Sequence, residues 1–259
     1  MEETEELFVL PEDKCLSGTS LFCKLYNSDS TLREYYHGDA DKALIGFKAG
    51  DMPIDTKINY VRGVFDEYNS GNQKPFKLFS KKINLFGGKW YMFLDTETSG
   101  MSSYDKVIQL AYVLVWRIDN RSIEVYTFDE YIYWPRLKIH WAAKKVHGIT
   151  EGRLTKYGLS ADAVFKELDN MLILADYVVA YNAQFDKRML IGSYNTCTDT
   201  VRYASWKCCL ELVRSKKIGG SNKLGSVYKL YSGREIQNAH DALSDVRAMI
   251  YIWSHLNSW

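Results

Sequence analysis

The sequence predicts a mixed α/β domain over residues 89–259, built as a β-sheet flanked by helices, with a small extension or subdomain over residues 1–88. Three observations support this fold class. Residues 90–94 are apolar on both faces of a strand, as expected at the centre of a sheet covered by helices. Two long runs rich in β-forming residues follow. Segments with helical periodicity then dominate, and this order of elements favours a sheet sandwiched by helices.

Residues 1–88 carry few signals. An amphipathic helix is predicted after Pro53, because apolar residues recur there at helical spacing. They are Ile58, Val61, Phe65 and Tyr68. Residues 69–75 are predicted to form a loop or linker, and the glycine pair at 87–88 marks a second break. The region could be a subdomain, a substrate-guiding extension or a surface for a protein partner, and the sequence leaves these alternatives open.

The elements after residue 89 follow in order. After the strand at 90–94, residues 107–118 and 123–134 are predicted to be strands, since both are rich in β-branched and aromatic residues. The polar residues 119–122 between them have the composition of a hairpin turn.

The second half of this region is predicted to alternate helices with a further strand. Helices are expected over residues 141–146, after Ser160 as N-cap, over residues 183–191 and from about Asp241, with a strand over residues 177–181. The apolar stripe of the helix after Ser160 is Val164, Leu168, Met171 and Leu172. The expected core stripe of the last helix is Leu243, Val246, Ile250 and Trp253, with Asp245, Met249 and Ile252 as a second stripe.

The formal net charge of +1 does not indicate a polyanionic partner for the chain as a whole. The charge is uneven, because residues 1–88 hold 11 Lys and Arg against 14 Asp and Glu, whereas residues 89–259 hold 22 against 18. If four acids of the second region occupy a metal site, the rest of its surface is more basic than the count indicates.

The chain is predicted to be soluble and intracellular, in the cytoplasm or the nucleus, with no membrane partner. Its five cysteines lack paired spacing, which argues against a disulfide scaffold or a zinc site and favours inert thiols. The acidic N-terminus does not have the pattern of a signal peptide. The longest apolar runs are far shorter than the roughly 20 residues that span a bilayer.

Two acidic residues end the predicted central strand. Asp95 and Glu97 are two residues apart and therefore project from the same face of the strand. Neighbouring carboxylates repel each other, and a divalent cation such as Mg²⁺ or Mn²⁺ relieves this conflict. The alternative is an exposed strand end at which the acids meet solvent.

Two further stretches place acids at the ends of regular elements. Asp186 follows Phe185 where the strand at 177–181 leads into a helix. His240 and Asp245 flank the start of the last helix. Because five positions correspond to about 140° around an ideal helix, these two share a site only if His240 lies on the entering loop.

These stretches together resemble the three exonuclease motifs of the DEDDh family. The matching segments are residues 93–100, residues 182–186 and the pair His240 and Asp245, with the family-like segment 146–150 between the first two. The resemblance implies an RNase H-like fold with a mixed five-stranded sheet. It also implies hydrolysis of phosphodiester bonds from the 3′ end of DNA or RNA, with release of nucleoside 5′-monophosphates.

The resemblance further implies roles for five residues and a requirement for two divalent cations, Mg²⁺ or Mn²⁺. Asp95 would bridge both ions, Glu97 and Asp245 would complete the site on the side of the nucleophile, and Asp186 would hold ligated water. His240 would accept the proton of the attacking water, for which an imidazole pKa near neutrality is suited.

Further residues are candidates for contacts with the nucleic acid. Those expected to hold the terminal nucleotide are Thr98, His147, Asn182 and Phe185. The lysine pairs at 144–145 and 216–217 are candidate phosphate contacts or, alternatively, solvated surface.

Two positions depart from the family pattern. Ser99 stands where the family usually has a threonine, and it keeps a small hydroxyl. Tyr181 stands where the family commonly has a histidine, and this change puts the substrate preference in doubt.

Two other functions are weighed. His240 and Asp241 form the dipeptide of HD-type metal phosphohydrolases, but only five histidines are present and none of the others is a convincing partner. The other alternative is a catalytically silent nucleic-acid-binding module of the same fold. The intact set of five residues argues against it, since clustered acids are expensive to retain without a function.

Overall fold

The computed structural model describes residues 20–70, 86–194 and 198–257. The chain divides into two compact units, Met1–Gly87 and Gly88–Trp259. Residues 71–75 of the predicted loop lie outside the described residues. Among the described residues, no helix is both long and apolar enough to cross a membrane.

The N-terminal unit is helical where it is described. Its helices are α1 (Ser20–Ser28), α2 (Ser30–Tyr35), α3 (Ala40–Ala49) and α4 (Ile54–Asn69). The helix predicted after Pro53 is confirmed as α4, and Ile58, Val61 and Phe65 are buried along it. Aromatic rings fill the core, with Phe22 stacked on Phe47 at a centroid distance of 4.5 Å.

One cysteine differs from the expectation of unpaired thiols. Cys23 is disulfide-bonded, whereas Cys208 and Cys209 are free. Spacing along the chain does not predict such a bond, because it depends on the approach of two side chains in space.

The C-terminal unit has a six-stranded mixed sheet, not the five strands expected. The strands are β1 (Lys89–Thr98), β2 (Val107–Ile118), β3 (Arg121–Tyr133), β4 (Leu159–Ser160), β5 (Tyr177–Ala180) and β6 (Trp206–Cys208), in the order β4-β3-β2-β1-β5-β6. β1, β2 and β3 are antiparallel neighbours, whereas β5 pairs in parallel with β1 and β6, and β4 with β3. β4 and β6 are too short to show the alternation that identifies a strand in sequence.

The predicted hairpin between β2 and β3 is confirmed. Asp119 and Asn120 form its two-residue connection, and both have positive φ, 46° and 63°. Two left-handed residues are the requirement of a type I′ turn, whose twist matches that of the flanking strands.

Eight helices accompany the sheet within the described residues. They are α5 (Trp141–His147), α6 (Glu151–Tyr157), α7 (Ala161–Leu172), α8 (Ala183–Ser193), α9 (Thr198–Tyr203), α10 (Cys209–Ser215), α11 (Leu224–Ser232) and α12 (Ala242–Asn257). The predictions of α5, α7, α8 and α12 are confirmed, including Ser160 as the N-cap of α7. The shorter helices α6, α9, α10 and α11 were not predicted.

The main core lies between the sheet and α10, α11 and α12. Phe93, Val113 and Val179 of the sheet pack in one cluster with Val246 and Met249 of α12. The stripe of α12 that contains Asp245 is buried at all three positions. Of the expected core stripe, Val246 and Trp253 are buried, whereas Leu243 and Ile250 are half-buried. The burial of Asp245 follows from this orientation of the helix.

A second cluster fixes the segment that contains His147. Ile108 of β2 packs with Ile139, Ile149 and Leu154 from the segments around α5 and α6. These contacts hold the turn between the two helices beside the central strands.

Candidate active site

The first two acids lie at the carboxyl end of β1. Asp95 pairs with Ala111 and Glu97 with Gln109 across the β1–β2 ladder. Both side chains are half-buried, and residues two apart in a strand project from the same face. The register of the ladder shifts immediately after Glu97. Such bulges end regular pairing and often adjoin functional sites.

Asp186 reaches the same edge of the sheet from α8. Because β5 is parallel to β1, the helix that follows β5 begins near the end of β1. Asp186 is 3% exposed, and Thr96 Oγ1 donates a hydrogen bond of 2.8 Å to its Oδ1. This bond holds the carboxylate beside the central strand.

Asp245 and His240 come from the start of the last helix. Asp245 lies in the first turn of α12 and is 9% exposed. His240 precedes the helix in the left-handed conformation, with φ 68°, so the expectation that it lies on the entering loop is confirmed. One ligand atom from each of Glu97, His240 and Asp245 lies within 4.8 Å of the others.

The four acids share an environment that disfavours negative charge. Burial raises the pKa of Glu97 to about 8, and repulsion from Asp245 and Asp186 adds to this effect. Burial likewise raises the pKa of Asp186 to about 7 and that of Asp245 to about 6. The pKa of Asp95 is raised well above its ordinary value by burial and then by repulsion from its acidic neighbours, which are Asp186, Glu97, Asp245 and Asp241.

This donor set fits a hard divalent cation. Asp245 Oδ1 is buried and has no hydrogen-bond partner among the described residues, so a cation beside it would satisfy this oxygen. A bound cation would also favour the charged forms of all four acids, which repel each other without it. Carboxylate oxygens are the ligands that Mg²⁺ and Mn²⁺ prefer.

Thr98 and His147 are linked to each other at the end of β1. Thr98 Oγ1 donates to the carbonyl oxygen of Gly100 over 2.6 Å. His147 Nε2 lies 3.2 Å from the carbonyl oxygen of Thr98, and the Ile149 N–H donates to His147 Nδ1 over 3.0 Å. Since Nδ1 accepts a hydrogen bond, Nε2 carries the proton and donates. Burial also lowers the pKa of His147, which favours this neutral ring.

The other two candidates for substrate contacts lie at the start of α8. Asn182 is the N-cap residue of α8, is exposed and makes no capping hydrogen bond with its side chain. Phe185 is half-buried, and the Arg188 guanidinium lies 5.5 Å from its ring centroid. The side chain of Asn182 therefore has no structural role in the helix cap.

Two residues of the site escaped the sequence predictions. Thr96 could have been noticed, because it stands between the two acids of β1. Gln109 carries no comparable signal, yet it is 2% exposed and its Nε2 donates to Asp129 Oδ1 at 2.9 Å and to Asp241 Oδ1 at 3.1 Å. Gln109 therefore ties β2 and β3 to the loop that carries His240.

Comparison with known proteins gave one family and a set of similar structures. The exonuclease family model, RNase_T, matches residues 92–253. Zinc-bound E. coli exonuclease I in complex with single-stranded DNA has a TM-score of 0.54 and 19% identity, covering 66% of this chain and 41% of that chain. Exonuclease I from Methylocaldum szegediense has a TM-score of 0.52 and 20% identity, covering 65% and 40%. A comparison with curated protein sequences gave no match.

The similar structures establish the fold of this chain, whereas the family model establishes its family. The similar structures share the RNase H-like fold, and this chain spans about two fifths of their length. The family model covers more than half of the chain and includes the acids and the histidine assembled above. The chain therefore belongs to the exonuclease family with DEDDh motifs, whose members hydrolyse the phosphodiester bonds of nucleic acids.

Proposed function

We propose that this protein is a two-metal 3′–5′ exonuclease that removes nucleoside 5′-monophosphates from the 3′ end of DNA or RNA. The observation that supports it most strongly is the convergence of four acids and one histidine from three separate segments. One of these acids, Asp245, is buried with an unpartnered oxygen. A cluster of this kind is destabilising unless a cation binds to it.

Asp95, Glu97, Asp186 and Asp245 are the residues that would hold the cations. Divalent ions bound there would neutralise charge on the attacked phosphate and on the leaving oxygen. The Thr96 hydroxyl keeps Asp186 in place, and the β1–β2 ladder fixes the spacing of Asp95 and Glu97. The chain thus supplies a largely preformed arrangement of oxygens.

His240 is proposed to accept the proton of the attacking water. Its ring reaches the ligand atoms of Glu97 and Asp245 from an exposed loop, so it is accessible to solvent and close to the site. The left-handed backbone of His240 is a conformation that residues other than glycine adopt rarely and often at functional sites.

Thr98, His147, Asn182 and Phe185 are proposed to position the terminal nucleotide. Asn182 is the strongest candidate for a direct hydrogen bond, because its exposed side chain makes no capping bond. Both ring nitrogens of His147 are engaged, so its proposed contribution is to hold the backbone of Thr98 in position.

The test uses oligonucleotides labelled at the 3′ end, with Mg²⁺ or Mn²⁺ and with EDTA as the metal-free control. We expect stepwise release of labelled mononucleotide by the wild type, and on the order of 10³-fold less by Asp95→Ala. Equal rates for the two proteins, or no release by the wild type with either metal, would contradict the proposal.

The nucleic acid itself is tested with a matched panel of DNA and RNA, single- and double-stranded. Single-stranded DNA is the first substrate to examine, because E. coli exonuclease I is described in complex with dT13 and dA16 oligonucleotides. The 2′-hydroxyl is the group that distinguishes the two polymers in such a site.

Asp241 distinguishes the exonuclease from an HD-type phosphohydrolase. Its carboxylate accepts hydrogen bonds from Ser244 at the start of α12 and from Gln109, which is a structural role. We therefore expect Asp241→Asn to lose only about tenfold in activity, as for a residue that supports ligands, and Asp245→Asn to lose far more. Near-complete loss in both variants would favour the HD-type site.

A catalytically silent module is distinguished by calorimetric titration with Mn²⁺. The exonuclease predicts binding that is abolished by Asp95→Ala and by Asp245→Asn. A silent module predicts no binding that depends on these two acids.

A further inference from the structure

A pocket of about 780 Å³ opens beside the acid cluster, within the range of about 300–1,000 Å³ that is typical of ligand sites. His240 and Asp245 line it, and so do Arg214 of α10 and Lys223, which precedes α11. One part of the pocket therefore carries the acidic group that favours a metal ion, and the other part carries two positively charged side chains.

Within the part of the chain that the structure describes, the two cations of the pocket have no acidic partner. Arg214 and Lys223 are both exposed, and the ion pairs of the described residues involve other side chains. Glu235 also lines the pocket, but its carboxylate is paired with Lys229 Nζ at 2.5 Å. The positive charge of Arg214 and Lys223 is thus available to a ligand.

The first turn of α11 adds to this positive potential. Leu224, Gly225 and Ser226 line the pocket, and the N-cap residue Lys223 makes no capping hydrogen bond with its side chain. The N-terminus of this nine-residue helix therefore presents backbone N–H groups without a side-chain acceptor, and such groups favour an anion.

Tyr181 connects the two segments that carry the cations. Its hydroxyl donates to the carbonyl oxygen of Asn222 over 2.6 Å, next to Lys223. Its own carbonyl oxygen accepts from the N–H of Leu210 in α10 over 2.9 Å, and its ring packs against the main core. Tyr181 is one of the two residues that depart from the family pattern, and it lies between β5, α10 and the loop before α11.

We propose that this pocket binds a backbone phosphate of the polynucleotide other than the one that is cleaved, with Arg214 and Lys223 as anion-binding groups and Tyr181 as the residue that positions them. The proposal rests on the proposed function. A polynucleotide satisfies both parts of the pocket because its phosphates repeat along the chain. A divalent cation held by Asp245, whose buried oxygen has no partner among the described residues, would attract one phosphate to the acid cluster, and a second phosphate would then lie within reach of Arg214 and Lys223.

The experiment compares a substrate that has many phosphates with one that has a single phosphate. Steady-state kinetics with Mn²⁺ are measured for a 3′-labelled oligonucleotide and for the p-nitrophenyl ester of thymidine 5′-monophosphate. The variant is R214A/K223A. The matched control is K156A/K166A, which removes the same charge from α6 and α7, outside the pocket.

We expect KM for the oligonucleotide to rise about tenfold for each of the two basic side chains that R214A/K223A removes. The salt dependence of log kcat/KM should also become shallower, by about 0.7 for each phosphate of a single strand that the variant no longer binds. Hydrolysis of the ester should change far less, and this activity shows that the variant is folded and holds metal.

The outcomes separate the two proposals. If the wild type hydrolyses neither substrate, the proposed function fails. If the wild type is active and R214A/K223A has the KM and salt dependence of K156A/K166A, the proposal for the pocket is overturned. An equal decrease in activity on ester and oligonucleotide would also overturn it, since the residues would then act on the cleaved phosphate.

Tyr181→Phe tests the positioning role and removes only the hydroxyl that holds Asn222. We expect KM for the oligonucleotide to rise about threefold, in line with the loss of one neutral hydrogen bond, with kcat unchanged. Tyr228→Phe is the matched control, because Tyr228 packs against the same core but does not line the pocket. The same KM for both variants would remove Tyr181 from the proposal.

Discussion

Both units of this protein bury oxygen atoms without a hydrogen-bond partner among the described residues, but the atoms differ in charge. In the N-terminal unit they include the neutral phenol oxygens of Tyr26 and Tyr60, and in the C-terminal unit they include a carboxylate oxygen, Oδ1 of Asp245. A neutral hydroxyl left unpaired costs about 1–3 kcal/mol. A carboxylate must instead take up a proton or bind a cation. Burial of a polar atom therefore does not mark a site by itself, whereas burial of clustered acids does.

Acids near helix starts show the same contrast. Asp39 caps α3 by accepting from the Lys42 N–H over 2.9 Å, and this bond lowers its pKa. Asp245 also lies at the start of a helix, but burial raises its pKa to about 6. Asp39 in its charged form stabilises the fold of the N-terminal unit, whereas the charged form of Asp245 opposes folding of the C-terminal unit.

Asp245→Asn in the C-terminal unit gives the largest expected effect. It should lower the activity of the protein while raising its stability. We expect kcat/KM on oligonucleotides to fall on the order of 10³-fold. The melting temperature in EDTA should rise, because an amide replaces a carboxylate whose charged form is disfavoured by burial and by the neighbouring Asp241. Calorimetry in EDTA measures this change, and a lower melting temperature would contradict the interpretation.

Phe47→Ala in the N-terminal unit should have the opposite effects: it should lower stability and leave the activity unchanged. Removal of this buried ring is expected to lower the free energy of unfolding by about 3–5 kcal/mol, measured by urea denaturation. We expect kcat on the 3′-labelled strand to be retained below the transition. Ile45→Ala is the control, since Ile45 is 67% exposed and its replacement should change stability by less than about 0.5 kcal/mol.

The pH dependence of stability sharpens the comparison. The pKa values of Glu97, Asp186 and Asp245 are raised to about 8, 7 and 6, above ordinary values of about 4 in the unfolded chain. The folded state therefore holds more protons, and stability of the metal-free protein should fall as pH rises from about 4 to about 8. Melting temperatures in EDTA across this range test the sign.

Saturating Mg²⁺ should reverse this trend, because the cation stabilises the charged carboxylates. Glu97→Gln in EDTA should flatten the upper part of the curve, where Glu97 titrates. A metal-free stability that increases with pH over the same range would show that the acids are not in the environment described.

The smallest expected changes in the free energy of unfolding are those of two tyrosine variants in the N-terminal unit. The Tyr36 hydroxyl donates to the carbonyl oxygen of Asp51, so Tyr36→Phe should cost about 1 kcal/mol. Tyr60→Phe removes a hydroxyl with no partner among the described residues and should raise the free energy of unfolding by about 1 kcal/mol or more. Urea denaturation of both variants tests the difference, and equal decreases would show that the Tyr36 bond contributes nothing.

The long periodic segments of this protein were predictable from sequence. The strand at 90–94, the hairpin at 119–122, the Ser160 cap and the last helix follow from local rules of periodicity and turn chemistry. The four acids proposed for the site could be singled out in the sequence because each stands next to such an element. The short strands β4 and β6 and the helices α1, α2, α3, α6, α9, α10 and α11 were missed, since short elements are specified by their neighbours in space more than by their own residues.

The sequence by itself determined which residue types stand at the ends of β1, β5 and the last loop, because strand and helix periods place them there. Only the tertiary structure decided that the Asp245 stripe of α12 is buried at every position and that Gln109 ties Asp241 to the sheet. It also decided that Tyr181 holds the segment before α11. These features depend on contacts between residues far apart in the chain, and hydrophobic periodicity carries no information about which distant partner a polar side chain will meet.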